Sequence, residues 1–251
     1  MNMNKEQVEA LILRNIRLLH SPGSTIEIRA LGIPGRGKPH TAAGFFSDFQ
    51  AAARCAAELD CQSHGPEGVY ITLNPVNPAL LARSPNFITP YLETTTSDHD
   101  IQRRHLLLID FDPDRPSGIP SSDEELQAAK SVAEDVRDWL VTQKGFMPPA
   151  EAMSGNGWHL LFPIDMPNDE RSHQTVHGVL QATAAMFGGD RTPAGLPRVT
   201  VDTSVANAAR ITKLYGTLVR KGHSIPGRPL RRSELVFVPE SFNQRFQGGV
   251  A

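Results

Sequence analysis

The chain has 251 residues, of which 39 % are hydrophobic and 21 % charged, and its formal net charge is −2. Such a composition belongs to a folded globular chain and excludes a disordered one, while the near-zero charge excludes a protein that coats nucleic acid by bulk charge. No apolar run approaches the ~18 residues of a membrane span and the N-terminus lacks the apolar core of a signal peptide, so no membrane partner is expected and the cytoplasm is the expected compartment.

In chain order, apolar spacing predicts an amphipathic helix over residues 4–19, with Val8, Leu11, Ile12 and Ile16 on one face. Residues 24–31 alternate Ile26, Ile28 and Ala30 as a strand does, and residues 32–40, rich in Gly and Pro, read as a loop. Ser47 with Gln50 has the spacing of a capping box and opens a helix to Leu59. Cys55 and Cys61, even with His64 nearby, do not complete a four-ligand zinc site and are expected to be reduced thiols. A short strand over 69–73 stops at Asn74-Pro75, and residues 74–100, with four prolines, are expected to be mostly irregular.

The second half has a cleaner rhythm. Residues 105–111 form an apolar strand. Ser122 with Glu125 caps a helix whose stripe is Leu126, Ala129, Ala133, Val136 and Leu140. Strands at 150–153 and 158–163 flank the turn Ser154-Gly155-Asn156-Gly157, a helix covers 169–187, and a last strand covers 199–202. Strand, helix, strand, strand, helix, strand is the split βαβ order of ferredoxin-like and RNA-recognition-motif folds, an α+β class whose antiparallel sheet has spatial order 4-1-3-2.

That order gives three acids a common address. Asp110 and Asp112 end the first strand two residues apart, so both carboxylates face one side of the sheet. Carboxylates this close repel, and a divalent cation with oxygen ligands relieves the repulsion; Asp112-Pro113-Asp114 is also ordinary turn chemistry. His159 opens the third strand after the glycine turn, and Asp202 is expected near the entrance of the fourth, at the same edge. The two glycines of the turn allow backbone amides to approach a ligand, and Ser154 and His159 suit phosphate oxygens. From Arg198 to Arg232 there are eight basic residues (Arg198, Arg210, Lys213, Arg220, Lys221, Arg228, Arg231 and Arg232) and one acid, Asp202, a basic segment on an acidic body. Arg210 and Lys213 share a face in a turn or helix and point apart in a strand; either way they bring positive charge to the acids.

These motifs resemble those of archaeo-eukaryotic primases. Ile109-Asp110-Phe111-Asp112 is similar to their first motif, Ser154 through Trp158-His159 to their second, and Val201-Asp202 to their third. Asn207, Arg210, Lys213 and Gly216-Thr217 are similar to the segment that follows the third motif in primase–polymerases of plasmids, phages and integrated elements. The resemblance runs from about Val69 to Lys221, with weaker likeness at Arg29, Gly44-Phe45-Phe46 and Thr72 to Pro75. Many members have Glu where this chain has Asp112.

The resemblance implies one catalytic domain over residues 1–251, with an N-terminal α/β unit (about 1–100) beside a recognition-motif-like catalytic unit (about 101–240). It implies that Asp110, Asp112 and Asp202 are catalytic and bind two Mg²⁺ or Mn²⁺ ions, with no zinc. Nucleotide binding falls to Ser154, Gly155, Asn156, Gly157, His159, Asn207, Arg210 and Lys213, His159 touching the triphosphate rather than a metal. The implied activity is template-dependent primer synthesis by a DNA primase/polymerase, on nucleoside triphosphates and a single-stranded DNA template, with a replicative helicase on the same or a separate chain as a partner. Two other readings stand beside it: a single-stranded-DNA-binding replication initiator module without catalysis, and another metal-dependent phosphoryl-transfer enzyme such as a nuclease. The Arg210–Lys213 segment favours a polymerase over a nuclease. Aromatics at 6 % and carboxylates where stacking rings would sit argue against a recognition-motif binding module.

Overall fold

A computed structural model describes residues 3–35 and 37–244. Its elements in chain order are α1 (Lys5–Leu19), β1 (Ile26–Ile33), β2 (His40–Phe46), α2 (Phe49–Asp60), β3 (Gly68–Thr72), β4 (Thr89–Pro90), β5 (Arg103–Pro113), α3 (Asp123–Lys144), β6 (Ala150–Met153), β7 (Trp158–Pro167), α4 (Glu170–Phe187), β8 (Val199–Val201), β9 (Ile211–Lys213), β10 (Leu218–Val219), β11 (Arg231–Arg232), β12 (Glu234–Phe237) and α5 (Glu240–Gln244). The class is α+β with antiparallel sheets. One sheet runs β4-β2-β1-β3-β9, a second runs β12-β6-β7-β5-β8, and β10 pairs with β11 as a ribbon.

In the second sheet, β5, β6, β7 and β8 stand in the spatial order fourth, first, third, second, with β12 added outside β6. Their connections include the two long helices. Ser122 accepts from Glu125 N and Glu125 returns to Ser122 N, a reciprocal cap that starts α3, and Gly145 in the left-handed region ends it. Asp169 caps α4 through Ser172 N. Both helices cover one face of the sheet, packing Val132, Val136, Leu140, Val176 and Leu180 onto Leu107, Ile109, Phe111, Leu160 and Phe162. Leu106 and Leu108 face the other way, into a cluster with Leu19, Leu73, Leu161 and Tyr215. The apolar run in β5 therefore feeds two cores, and Asp110 and Asp112 continue the side of Leu106 and Leu108, towards the first sheet.

The first sheet backs onto α1 and α2. Ile26 and Ile28 of β1 and Val69 and Ile71 of β3 meet Val8, Ile12 and Ile16, while Ala52, Ala53, Ala56 and Ala57 keep α2 close. Its outermost strand at one side, β9, comes from the far half of the chain. Tyr70 pairs with Lys213 and Thr72 with Ile211 across the β3–β9 ladder. This strand brings the basic segment over the acids.

Three local expectations are corrected. The stretch 32–40 is not all loop, because β1 continues to Ile33 and β2 begins at His40, pairing Ile26 with Phe46 and Ala30 with Ala42. The N-cap of α2 is Asp48, whose carboxylate accepts from Gln50 N and Ala51 N; the amides of Ser47 and Asp48 instead donate to Asn86 Oδ1. Asp202 lies at the exit of β8 rather than its entrance, as the N-cap of a 3-10 turn over Thr203–Ala206. The correction leaves it beside Asp110, because its N–H donates to Asp110 O at 3.0 Å.

Candidate functional site

Strand pairing builds the site. Asp110 stands opposite His159 in the β5–β7 ladder, and Asp112 opposite Thr200 in the β5–β8 ladder. With Asp202 bonded to the backbone of Asp110, three neighbouring strands deliver Asp110, His159 and Asp202 to one place. Opposite them, β9 and the residues around it supply Arg210, Thr212 and Lys213. A cavity of about 280 Å³ between the two sheets is lined by Asp110, Asp112, Asp202, Ser154, Asn156 and His159 from one side and by Tyr70, Arg210, Thr212, Lys213 and Lys221 from the other. It adjoins a larger groove of about 730 Å³ that shares Asp112, Arg115 and Lys221 and adds Arg220 and His223.

Asp202 and Asp112 each have an arginine beside them, and Asp110 has a histidine. Asp202 Oδ2 is 3.3 Å from Arg210 Nη2, and Oδ1 accepts from Ser204 N at 2.8 Å. Asp112 Oδ1 is 3.7 Å from Arg115 Nη1. Asp110 Oδ1 is 3.2 Å from His159 Nε2. That last contact is an ion-pair distance outside hydrogen-bond geometry, so the buried Oδ1 of Asp110 has no hydrogen-bond donor among the described residues. Lys213 Nζ donates to Tyr70 OH at 2.6 Å and lies 4.1 Å from the centre of that ring. His159 Nδ1 meets Tyr215 OH at 2.7 Å.

The electrostatics separate the two acids of β5. Burial pushes the Asp110 carboxyl up, but the surrounding His159, Arg210 and Lys213 outweigh it and hold Asp110 below the usual carboxylate range. Asp112 is pushed up, by burial and then by the charge of Asp110. Half of its side chain reaches solvent, so the neighbouring charge is the more durable cause. Lys213 is pushed down to about 8 by burial and by Lys221, against the pull of Asp110 and Asp112. Among the described residues, no group of three or more His, Cys, Asp or Glu side chains is placed to hold a metal ion. The three carboxylates share a cavity but not a coordination sphere.

Of the residues singled out from sequence, Asp110, Asp112, Ser154, Asn156, His159, Asp202, Arg210 and Lys213 line this cavity. Gly155, Gly157 and Asn207 are not among its lining residues. The glycines answer to packing. A Cβ on Gly157 would stand 2.3 Å from Phe111 O, and Gly155, with φ +104°, would place one 2.6 Å from Val219 Cγ2. Their amides are engaged within the turn, Gly155 N with Met153 Sδ and Gly157 N with Ser154 Oγ. Asn156 Oδ1 accepts from Ser121 N and ties the turn to the start of α3. Asn207 closes the 3-10 turn, its carbonyl accepting from Arg210 N at 3.3 Å.

Sequence reasoning missed Tyr70, Arg115, Thr212 and Tyr215 as site residues. Lys221 was visible only as part of the basic segment. Tyr215 carried no signal, since an aromatic in an apolar stretch reads as core. Tyr70 becomes relevant only through its cross-strand pairing with Lys213.

No family model matches the chain, and no curated protein matches it. Among solved structures it is similar to the polymerase domain of Ligase D from Mycobacterium tuberculosis in complex with DNA, with a TM-score of 0.46 and 16 % identity, over 86 % of this chain and 76 % of that one. No helix among the described residues is long and apolar enough to cross a membrane.

Proposed function

We propose that the chain is a template-dependent nucleotidyltransferase of the primase–polymerase kind, adding nucleotides from nucleoside triphosphates to a strand paired with single-stranded DNA. One observation carries the reading: Asp110, Asp112 and Asp202 meet Arg210, Lys213 and Lys221 in a single cavity, although Asp110 and Asp112 belong to one sheet and Lys213 to the other. Carboxylates alone repel a triphosphate, and arginines and lysines alone bind phosphate but hold no metal ion. Both signs in one partly enclosed cleft suit a metal-chelated triphosphate. The resemblance of the Asp110, His159 and Asp202 motifs to those of archaeo-eukaryotic primases supports the same reading.

The donor set suits a hard divalent cation, Mg²⁺ or Mn²⁺. It offers carboxylate oxygens, one of them, Asp110 Oδ1, buried and without a hydrogen-bond donor. Asp110 and Asp112 would hold the ions, and Asp202 would join them by giving up Arg210. When bound, such ions supply the positive charge that an attacking 3′-hydroxyl and a departing pyrophosphate need. The protein's own part is placement. Arg210, freed from Asp202, and Lys213 and Lys221 would bind the triphosphate oxygens, and the Nε2 edge of His159 would donate to the same group. Ser154 and Asn156 shape the cavity wall beneath them. Base choice would come from pairing with the template, so the chain needs contacts to backbone and shape rather than to bases.

The test is a gel assay with a labelled primer on a longer DNA template, nucleoside triphosphates and Mn²⁺ or Mg²⁺, run beside the same DNA without nucleotides. Extension that depends on nucleotide, template and metal supports the proposal. Shortening of the DNA in both reactions would assign the site to a nuclease instead.

A further inference from the structure

Among the described residues Tyr215 is the largest fully buried side chain, and its hydroxyl is the part that needs explaining. A phenylalanine would fill the same apolar cluster with Leu19, Leu73 and Leu108. A phenol hydroxyl taken out of water costs free energy unless a partner repays it. The partner here is His159 Nδ1 at 2.7 Å, with Thr212 Oγ1 further off, 3.3 Å from the hydroxyl and 3.4 Å from the same ring nitrogen. The backbone behind the ring is pinned as well, since Asn15 of α1 donates through Nδ2 to Tyr215 O at 2.9 Å. His159 is itself buried, and its other nitrogen faces Asp110.

We infer that Tyr215 is a positioning residue whose hydroxyl fixes the ring of His159 in one orientation and one tautomer, so that the N–H of Nε2 is presented to the Asp110 side of the cavity. The chemistry follows from which nitrogen can accept. A carboxylate beside Nε2 favours a proton on that nitrogen. Nδ1 then accepts, and the phenol is the donor it accepts from. Burial holds the Tyr215 hydroxyl far above the ordinary tyrosine range, which keeps it a donor. With phenylalanine in its place, Nδ1 keeps only the longer Thr212 contact, and the ring is free to exchange tautomers or turn. Tyr215 touches neither nucleotide nor metal in this scheme; it acts through His159. It belongs to the turn after β9, so the N-terminal sheet has a direct hold on a side chain of the catalytic one.

The inference rests on the nucleotidyl-transfer reading, and the experiment lets the two fail separately. The full chain is prepared as wild type, Tyr215→Phe, His159→Ala and the double variant. Long-range ¹H–¹⁵N spectra of the histidine rings, with His159 assigned by its loss in His159→Ala, need no activity. The wild type should show a single Nε2–H tautomer with a hydrogen-bonded Nδ1. Tyr215→Phe should show a moved Nδ1 resonance or a mixture of tautomers, with the thermal midpoint within a few degrees of wild type. In primer extension, Tyr215→Phe should raise the nucleotide KM about three- to tenfold, the size of one neutral hydrogen bond, while the double variant is no worse than His159→Ala alone. Unchanged His159 resonances, or effects of the two substitutions that multiply independently, would overturn the role of Tyr215. Absence of extension by the wild type would overturn the nucleotidyl-transfer reading and leave the spectra to decide the tautomer.

Discussion

Asp110 occupies the meeting point of β5, β7 and β8, and its inward oxygen has no hydrogen-bond donor among the described residues. Asp110→Ala should therefore lower nucleotide incorporation by about 100-fold or more, the scale on which removing one preorganised electrostatic group acts, with an unchanged far-UV circular dichroism spectrum. Lys213→Ala should weaken nucleotide binding more than binding of single-stranded DNA; titration of both ligands decides, and equal losses would move Lys213 to the template side. Lys213 also gives a pH prediction. Its folded pKa, about 8, lies below the ordinary 10.5, so between those values the unfolded chain binds more protons and stability gains as pH rises. The cost of the buried ammonium is present in full below about pH 8 and fades towards 10.5. Lys213→Met should thus exceed wild type in thermal midpoint near pH 7, and the gap should close by pH 10. The pairing of Asp110 with Asp112 was legible because a strand repeats every two residues. The pairing of His159 with Tyr215 was not, because 56 residues and a change of sheet separate them.

At the scale of elements, the turn between β6 and β7 is the part whose sequence and structure can be tested against each other. Its glycines suggested room for a ligand, yet Gly157 is where β7 passes against the backbone of β5. Gly157→Ala should destabilise by about 2–3 kcal/mol through overpacking, which chemical denaturation would measure; a loss of nucleotide affinity with full stability would restore the ligand-approach role. The helix α3 was legible because Ser122 and Glu125 write its start and an apolar stripe from Leu126 to Leu140 carries it on; its end at Gly145 was not read. The strand β2 was not. His40-Thr-Ala-Ala-Gly-Phe-Phe46 is built largely from small residues with little strand preference, and it forms a strand because β1 offers it a partner. Ser47 and Asp48 both suit an N-cap, and only the position of Asn86, which takes the two amides, decides between them.

On the scale of the whole molecule, the site exists because the chain returns. β9, three residues long, joins the first sheet, and nothing so short announces its partner in sequence. The return is anchored beyond β9 by Asp60 at the end of α2, whose buried carboxylate accepts from Leu218 N and Arg232 Nη1, with Arg220 Nη1 at 3.5 Å. Removing it leaves arginines facing a buried gap, so Asp60→Ala should cost about 3 kcal/mol or more, and calorimetry should still record one cooperative transition if the sheets fold together. Two resolved transitions would make them independent units that meet only in the native state. The claim that joins these scales is that opposed charges from two sheets form one centre for templated nucleotidyl transfer. The most direct measurement offers a primed DNA template with one labelled nucleoside triphosphate at a time in Mn²⁺, for wild type, Asp110→Ala and Asp202→Ala. The wild type should add only the nucleotide complementary to the next template base, and both variants should add it at least about 100-fold more slowly. Addition that ignores the template base, or extension by Asp110→Ala at the wild-type rate, would contradict the claim.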